Sequence, residues 1–180
     1  EVFKLITSEH KGIVGTLEAE CELSDFLENQ IQEWLCDITG FDSPLIMPAW
    51  QDFKIDALKN ECIFFSLTTE GDHGFYMADH KGADHDYFFS SALRVDLIIY
   101  GKRCREISRA IKDACNVAQN MEQLEAINLG FVNAEVKADI LEPNGSYFIK
   151  RSDLAITFNH TVRRQYAIKN FIKGTSILRG

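Results

Sequence analysis

The sequence contains few of the residues that break or cross-link a chain. Only 3 of its 180 residues are proline and 11 are glycine, with no low-complexity stretch, so we expect a single domain over residues 1–180. Its 5 cysteines are odd in number and include no Cys-x-x-Cys pair. That pattern indicates neither a disulfide framework nor a zinc knuckle, and it favours a reducing compartment.

Long apolar runs are also absent. No stretch of about 18 apolar residues occurs, and the opening segment, residues 1–15, lacks the apolar centre of a signal peptide. We therefore expect synthesis in the cytosol and no contact with a membrane. Residues 1–22 form either an N-terminal arm that reaches a neighbour or simply a strand.

Basic side chains are in the minority. The net charge of -8 argues against duplex nucleic acid bound over a broad face, because such binding neutralises phosphates with lysine and arginine. The charge is unevenly divided, since residues 1–90 carry 18 of the 27 acidic side chains and 5 of the 19 basic ones. Either the two halves attract each other within one chain, or they form opposite surfaces suited to head-to-tail association in a ring.

The sequence motifs of common catalytic sites are missing. Neither G-x-G-x-x-G nor G-x-x-x-x-G-K-[ST] occurs, so no backbone cradle for a nucleotide phosphate is indicated. The nucleophile elbow G-x-S-x-G is absent as well. We expect no catalytic residue, no cofactor and no enzymatic activity.

Apolar periodicity predicts the secondary structure. Helical spacing predicts helices over residues 25–38 and 103–116 and a further helical turn over 121–127. Alternation predicts strands over residues 62–68, 93–99, 131–137, 154–158 and about 164–171. The first helix begins at an N-cap, Ser24 or Asp25, and ends at Gly40. Pro44 and Pro48 restrict the residues between them to a short edge strand or an extended connector. This order predicts an α+β fold, a mainly antiparallel mixed β-sheet with two main helices packed on it.

Residues 70–88, rich in Gly, Asp and His, break the strand pattern and predict a long loop or an extended hairpin. The segment holds three histidines, His73, His80 and His85. With the neighbouring carboxylates these are weak candidates for metal ligands. We expect a solvated tip without metal, because the spacing matches no known metal motif and a flexible loop loses entropy on binding an ion. The alternative is a pH-sensitive or partner-contacting projection anchored by Phe75, Tyr76, Tyr87 and Phe88.

Basic residues of the second half are candidates for a subunit or partner interface. Arg105 and Arg109 lie on the polar face of the second helix, and the densest basic group is Lys150, Arg151, Arg163 and Arg164. This group either pairs with acidic residues of a neighbouring subunit or forms the solvated face of two strands. On an alternating strand, the charged pair Arg151 and Asp153 needs partners if it is buried.

Several short motifs follow one another along the chain. They are Pro48-x-Trp50-Gln51, Tyr100-Gly101, Gln119-Asn120 with Leu124, Arg151-x-Asp153 and Arg164-x-Tyr166. In this order and spacing, over residues 25–172, the sequence resembles the neck terminator family of tailed phages, also called tail terminators.

The resemblance implies a tail-terminator-like fold and a structural protein of the virion neck, assembled in the host cytoplasm. It implies a homo-oligomer, a hexameric ring, that caps the tail tube, stops its polymerisation and joins it to the head-side connector. In a contractile tail the sheath is a further neighbour, and DNA passes through the lumen without specific binding. Arg151, Asp153, Arg164 and Tyr166 would serve the sheet or its subunit interface. The alternatives are another phage connector or tail-tube component of related fold, or a small metal-binding module that uses the histidine segment.

Overall fold

In the part of the chain that the structure describes, three helices cover one face of a five-stranded sheet. The computed structural model describes residues 17–51, 61–81, 84–144 and 146–167, and side chains within 23–51, 61–70, 88–143 and 146–161. The elements in chain order are α1 (Leu17–Thr39), a 3₁₀ turn (Ser43–Leu45), β1 (Ile46–Pro48), β2 (Cys62–Lys81), β3 (Asp84–Tyr100), α2 (Cys104–Ala114), α3 (Ala118–Glu125), β4 (Leu129–Asn144) and β5 (Tyr147–Ala167). The predicted α+β class is confirmed.

The helix α1 forms because apolar side chains recur at helical spacing. Leu27, Ile31, Trp34 and Leu35 are all buried against the sheet. The helix ends as predicted at Gly40, which has a φ of 69° and donates its N–H to the carbonyl of Cys36 at 2.8 Å. This is the left-handed C-terminal cap that glycine adopts most readily.

The predicted start of this helix was wrong. The helix begins at Leu17, and Ser24 and Asp25, proposed as its N-cap, lie inside it. Both side chains are exposed, where serine and aspartate reduce helix stability by less than about 1 kcal/mol each. Ser24 and Asp25 are types of residue that often begin a helix, but here the helix extends through them because water hydrogen-bonds their exposed side chains.

The strands of the sheet follow the order β1-β2-β3-β5-β4. Strand β1 runs parallel to β2, and the other neighbouring pairs are antiparallel. The register places Val95 opposite Ile156 and Leu97 opposite Leu154, so alternate residues of β3 and β5 point to the helices. Together with side chains from α1, α2 and α3 they form the main core.

A second, smaller cluster lies on the other face of the sheet. Cys62, Phe64, Tyr100 and Ile149 are buried there without any residue from the described helices. The rings of Phe64 and Tyr100 meet edge to face, with centroids 5.8 Å apart. This face of the sheet carries most of the charged network described below.

Several strands are longer than their apolar patterns predict. Strand β5 is continuous from Tyr147 to Ala167, so the strands predicted separately at 154–158 and from about 164 are one. Within residues 70–88, β2 continues to Lys81 and β3 begins at Asp84. Backbone groups supply the ladder hydrogen bonds of a sheet, so polar residues extend a strand once its neighbour is in register.

Strand β4 forms one edge of the sheet and is irregular. Its pairing with β5 shifts register between Phe131 and Asn133 and again between Val136 and Ala138. Such bulges increase the local twist and leave a residue unpaired. At the other edge, β1 has only three residues and ends at Pro48, in agreement with the predicted short edge strand.

Candidate assembly surfaces

The aromatic-glycine motif closes β3 in a tight turn. Gly101 has a φ of 121°, a conformation that only glycine adopts readily. A Cβ atom at this position would lie 2.6 Å from Cγ and 3.0 Å from Cα of Glu61. The N–H of Gly101 donates to the carbonyl of Lys150 at 3.1 Å, and Arg103 donates to both carboxylate oxygens of Glu61 at 2.8 and 2.6 Å. The motif is therefore structural, since it fixes the start of α2 against two strands.

Four polar residues form one network on the sheet face away from the helices. The guanidinium of Arg151 donates to both oxygens of Asp153, at 2.6 Å from Nε and 2.9 Å from Nη2. Its Nη1 donates to Glu142 at 3.2 Å, and the hydroxyl of Tyr100 donates to the same carboxylate oxygen at 2.8 Å. The partner that the Arg151-x-Asp153 pattern requires is thus found within the chain.

The environment of this network stabilises its charges. Burial, with a further contribution from the hydrogen bond to Glu142, raises the pKa of Tyr100 to about 12. The hydrogen bond from Tyr100, followed by the one from Arg151, lowers the pKa of Glu142 in spite of partial burial. The pKa of Arg151 is raised above its usual value, chiefly by Asp153. At pH 7 the phenol is therefore neutral, while the guanidinium and the Glu142 carboxylate are charged.

We expect Arg151→Met to lower the free energy of unfolding by about 1–3 kcal/mol, because it leaves two half-buried carboxylates without their cation. Urea unfolding followed by circular dichroism measures the loss. Arg151→Lys keeps the charge but not the two-point geometry, so an intermediate loss is expected. Adding Asp153→Val to Arg151→Met should restore part of the stability. A single variant as stable as the wild type would contradict a structural role for the network.

A second Arg-x-Asp pair lies beside the first, and sequence reasoning did not select it. Arg94 donates to Asp96 at 2.9 and 2.8 Å and to Glu70 at 2.8 Å. Residue 96 of β3 lies opposite residue 155 of β5, so both pairs share one face of the sheet. Both strands carry arginine and aspartate two residues apart, and this repeated spacing could have predicted the second pair from the sequence.

The Gln-Asn motif joins the three helices. The side chain of Asn120 donates to the carbonyl of Ala114 at 3.1 Å, which satisfies a free carbonyl near the end of α2. The indole N–H of Trp34 on α1 donates to the backbone carbonyl of Asn120 at 2.8 Å. Leu124, the downstream residue of the motif, is fully buried in the main core. This motif too is explained by packing.

The β4–β5 hairpin exposes large apolar side chains near its tip. Leu141 is 62% and Phe148 69% exposed. The register pairs Leu141 with Lys150 and Pro143 with Phe148, which places all four residues on one face of the hairpin. An exposed group of this kind is typical of a contact surface.

This face of the hairpin is the one that α2 covers further along the sheet. Asp139 on β4 accepts a hydrogen bond from the hydroxyl of Ser152 at 2.8 Å and pairs with Arg105 at 3.1 Å. Arg105 and Arg109 are both exposed, one turn apart on the same side of α2. The predicted interface residues Arg105, Arg109 and Lys150 are therefore at the surface, close to the β4 edge.

The Pro-x-Trp-Gln motif lies at the opposite edge of the sheet. Trp50 is 68% exposed, and its indole N–H donates to both carboxylate oxygens of Glu28 on α1 at 3.1 and 3.2 Å. One turn further along α1, the side chain of Gln32 donates to the carbonyl of Ile46 at 2.6 Å. The acidic helix α1 and the exposed tryptophan thus form one surface beside β1.

For the other predicted candidates, the structure describes the backbone but not the side chain. They are His73, Phe75, Tyr76, His80, His85, Arg163, Arg164 and Tyr166. In the register, His80 lies opposite His85, and His85 lies opposite Tyr166. The metal, anchoring and interface roles assigned to these residues remain predictions.

The described residues hold no group of His, Cys, Asp and Glu that could bind a metal ion. The described thiols of Cys36, Cys62, Cys104 and Cys115 are free. Burial raises the pKa of Cys62 to about 11 and that of Cys115 to about 12, so neither is a thiolate at pH 7. Among the described helices, none has the length and apolar character needed to cross a bilayer.

We expect His160 to make the protein less stable as the pH falls below about 6.5. Burial lowers its pKa below 6.5, so the unfolded chain binds the proton first and stability is lost as the pH falls below 6.5. Urea unfolding of the wild type and of His160→Gln at several pH values isolates this contribution. The variant should lose less stability on acidification than the wild type, and equal losses would show that His160 is not buried in its neutral form.

Taken together, these observations define an α+β protein whose polar motifs are used in folding and whose sheet edges expose apolar side chains. The family model of the phage neck terminator protein matches residues 25–179. The chain therefore belongs to this family, whose members are structural proteins of the phage neck rather than enzymes. This confirms the resemblance seen in the sequence motifs. No protein with a curated description matches the chain.

Proposed function

We propose that the chain is a tail terminator that forms a hexameric ring on the end of the tail tube. In this role it stops tube polymerisation and joins the tube to the head-side connector, after assembly in the host cytoplasm. The observation that carries the proposal is the family match, which extends from α1 through β5. In a contractile tail the ring also meets the sheath.

The distribution of charge supports a ring. The helix α1 contains seven acidic side chains and no lysine or arginine, and it packs beside β1 at one edge of the sheet. Basic residues of α2 and Lys150 lie toward the β4 edge. Contacts between unlike surfaces leave a free surface on each copy, so they propagate until the ring closes.

Passage of DNA through such a ring requires a wall that does not retain it. The net charge of -8 supplies that wall if acidic residues face the lumen, because like charges repel the phosphates. Binding of DNA would then be weak and independent of sequence.

The first experiment measures the native mass of the purified chain at several concentrations by light scattering, with metal content determined on the same sample. We expect a metal-free hexamer of the 20.5 kDa chain.

The second experiment adds the chain to polymerising tail-tube subunits of the same phage. We expect tubes that stop growing and carry a ring at one end in electron micrographs, with untreated tubes as the control. Unchanged tube growth would overturn the proposed function. A metal-loaded monomer would instead favour a metal-binding module that uses the histidine segment.

A further inference from the structure

Two surfaces of this chain each expose apolar side chains and carry charges of opposite sign. The hairpin surface is defined by Leu141, Phe148 and Lys150 with Lys102. Lys102 lies in the turn before α2, next to Gly101, whose N–H donates to the carbonyl of Lys150. The helix-edge surface is defined by Trp50 with Asp25 and Glu28 of α1. Each combines at least one apolar side chain that is more than 60% exposed with charges of one sign, and the signs are opposite.

The charges of both surfaces are available to a partner. Lys102 and Lys150 are exposed, and neither forms an ion pair with any described residue. On the helix-edge surface, Asp25 is exposed and Glu28 is bonded only to the indole of Trp50 among the described side chains. Neutralising these charges therefore requires groups from outside the described part of the chain.

The two surfaces lie too far apart to meet within one chain. Four interstrand spacings separate β1 from β4 in the sheet, a distance of roughly 19 Å. They also lie at different levels along the strands. Tyr100 and Arg151 are paired with each other, and the hairpin tip extends beyond them in one direction. Trp50 lies in the other direction, because it follows the β1 residues that pair with Ile63–Phe65. The surfaces are thus at opposite edges of the sheet and at different levels along its strands.

We propose that the hairpin surface of one copy docks on the helix-edge surface of the next copy, with Phe148 and Leu141 against Trp50 and the two lysines facing Asp25 and Glu28. This inference rests on the ring of the proposed function and specifies which residues form its repeating contact. An aromatic anchor that meets aliphatic and aromatic side chains inside a charged rim is typical of energetically dominant contacts.

The apolar part of the contact is tested with Phe148→Ser and Trp50→Ser. Both side chains are largely exposed, so the monomers should fold as the wild type does by circular dichroism. We expect each variant to raise the concentration at half-assembly by about tenfold or more. The matched control is Val132→Ser, which removes an apolar side chain of similar exposure, 59%, elsewhere on β4 and should assemble normally.

The charged part is tested by exchange between two variants. Lys102→Glu with Lys150→Glu reverses the hairpin surface, and Asp25→Lys with Glu28→Lys reverses the helix-edge surface. Each double variant alone should fail to assemble, because it presents two surfaces of the same sign. An equimolar mixture should form rings, since every contact then joins opposite charges, and native mass spectrometry should find the two chains in equal number.

The outcomes separate this inference from the proposed function. A wild type that forms rings while Phe148→Ser, Trp50→Ser and both reversed variants assemble equally well would overturn the surface pair and leave the ring standing. Rings that do not reappear in the mixture would overturn the charge pairing. A wild type that stays monomeric at every concentration would overturn the ring in solution together with this contact, whatever the variants do.

Discussion

Replacing Gly101 with alanine is expected to lower the free energy of unfolding by about 2–6 kcal/mol. A side chain at a φ of 121° costs roughly 1–3 kcal/mol in backbone strain. The new Cβ would also lie 2.6 Å from Cγ and 3.0 Å from Cα of Glu61, and such overpacking adds about 1–3 kcal/mol. Urea unfolding followed by circular dichroism measures the change.

Gly40→Ala is the matched control for this substitution. Gly40 has a φ of 69°, but no atom of the described residues lies within 4 Å of its would-be Cβ, so only backbone strain of about 1–2 kcal/mol is expected. Combining Gly101→Ala with Glu61→Ala removes the contact with Cγ and leaves the backbone contact, so it should restore part of the stability. Equal losses for Gly40→Ala and Gly101→Ala would show that the close approach to Glu61 is unimportant.

Trp34→Ala is expected to lower the free energy of unfolding by about 3–5 kcal/mol, as is typical for truncation of a buried aromatic side chain. Trp34 is 1% exposed and packs edge to face on Phe158, with ring centroids 6.0 Å apart. Its indole also holds the carbonyl of Asn120, so the change loosens α1 from α3 as well. Trp34→Phe keeps most of the volume and should cost about 1–3 kcal/mol through the lost hydrogen bond.

The two tryptophans of the chain provide an internal control. Trp50 is at the surface, and Trp50→Phe should change stability by less than about 0.5 kcal/mol when measured on the monomer. Tryptophan fluorescence of this variant reports Trp34 alone and should show the blue-shifted emission of a buried indole. A small loss of stability from Trp34→Ala would mean that α1 is not part of the cooperative core.

The sequence was sufficient for the class of fold because its core positions recur with clear periods. Ile31, Trp34 and Leu35 mark a helix, while Leu93, Val95 and Leu97 mark a strand, and all six are buried as expected. The family motifs could also be recognised by order alone. Element ends were harder, as at Leu17, because backbone hydrogen bonds continue through exposed polar residues that carry no apolar signal.

The candidate surfaces were only partly predictable. Charge asymmetry indicated opposite surfaces. Arg105 and Arg109 were predicted from the polar face of the second helix, and Lys150 from the densest basic group. Leu141 and Phe148 were missed because both lie outside the strands predicted at 131–137 and 154–158, where no alternation marks them. Only the length of the hairpin beyond the covering helices leaves them exposed, and that length depends on tertiary pairing of β4 with β5.

The two bulges of β4 affect how this edge strand can pair with a second molecule. A regular 16-residue edge strand would offer its free backbone groups to the same strand of another molecule, giving a two-fold pair that has no further surface to extend. The shifted register at residues 131–133 and 136–138 interrupts that ladder. The interrupted ladder disfavours pairing of β4 with the same strand of a second copy.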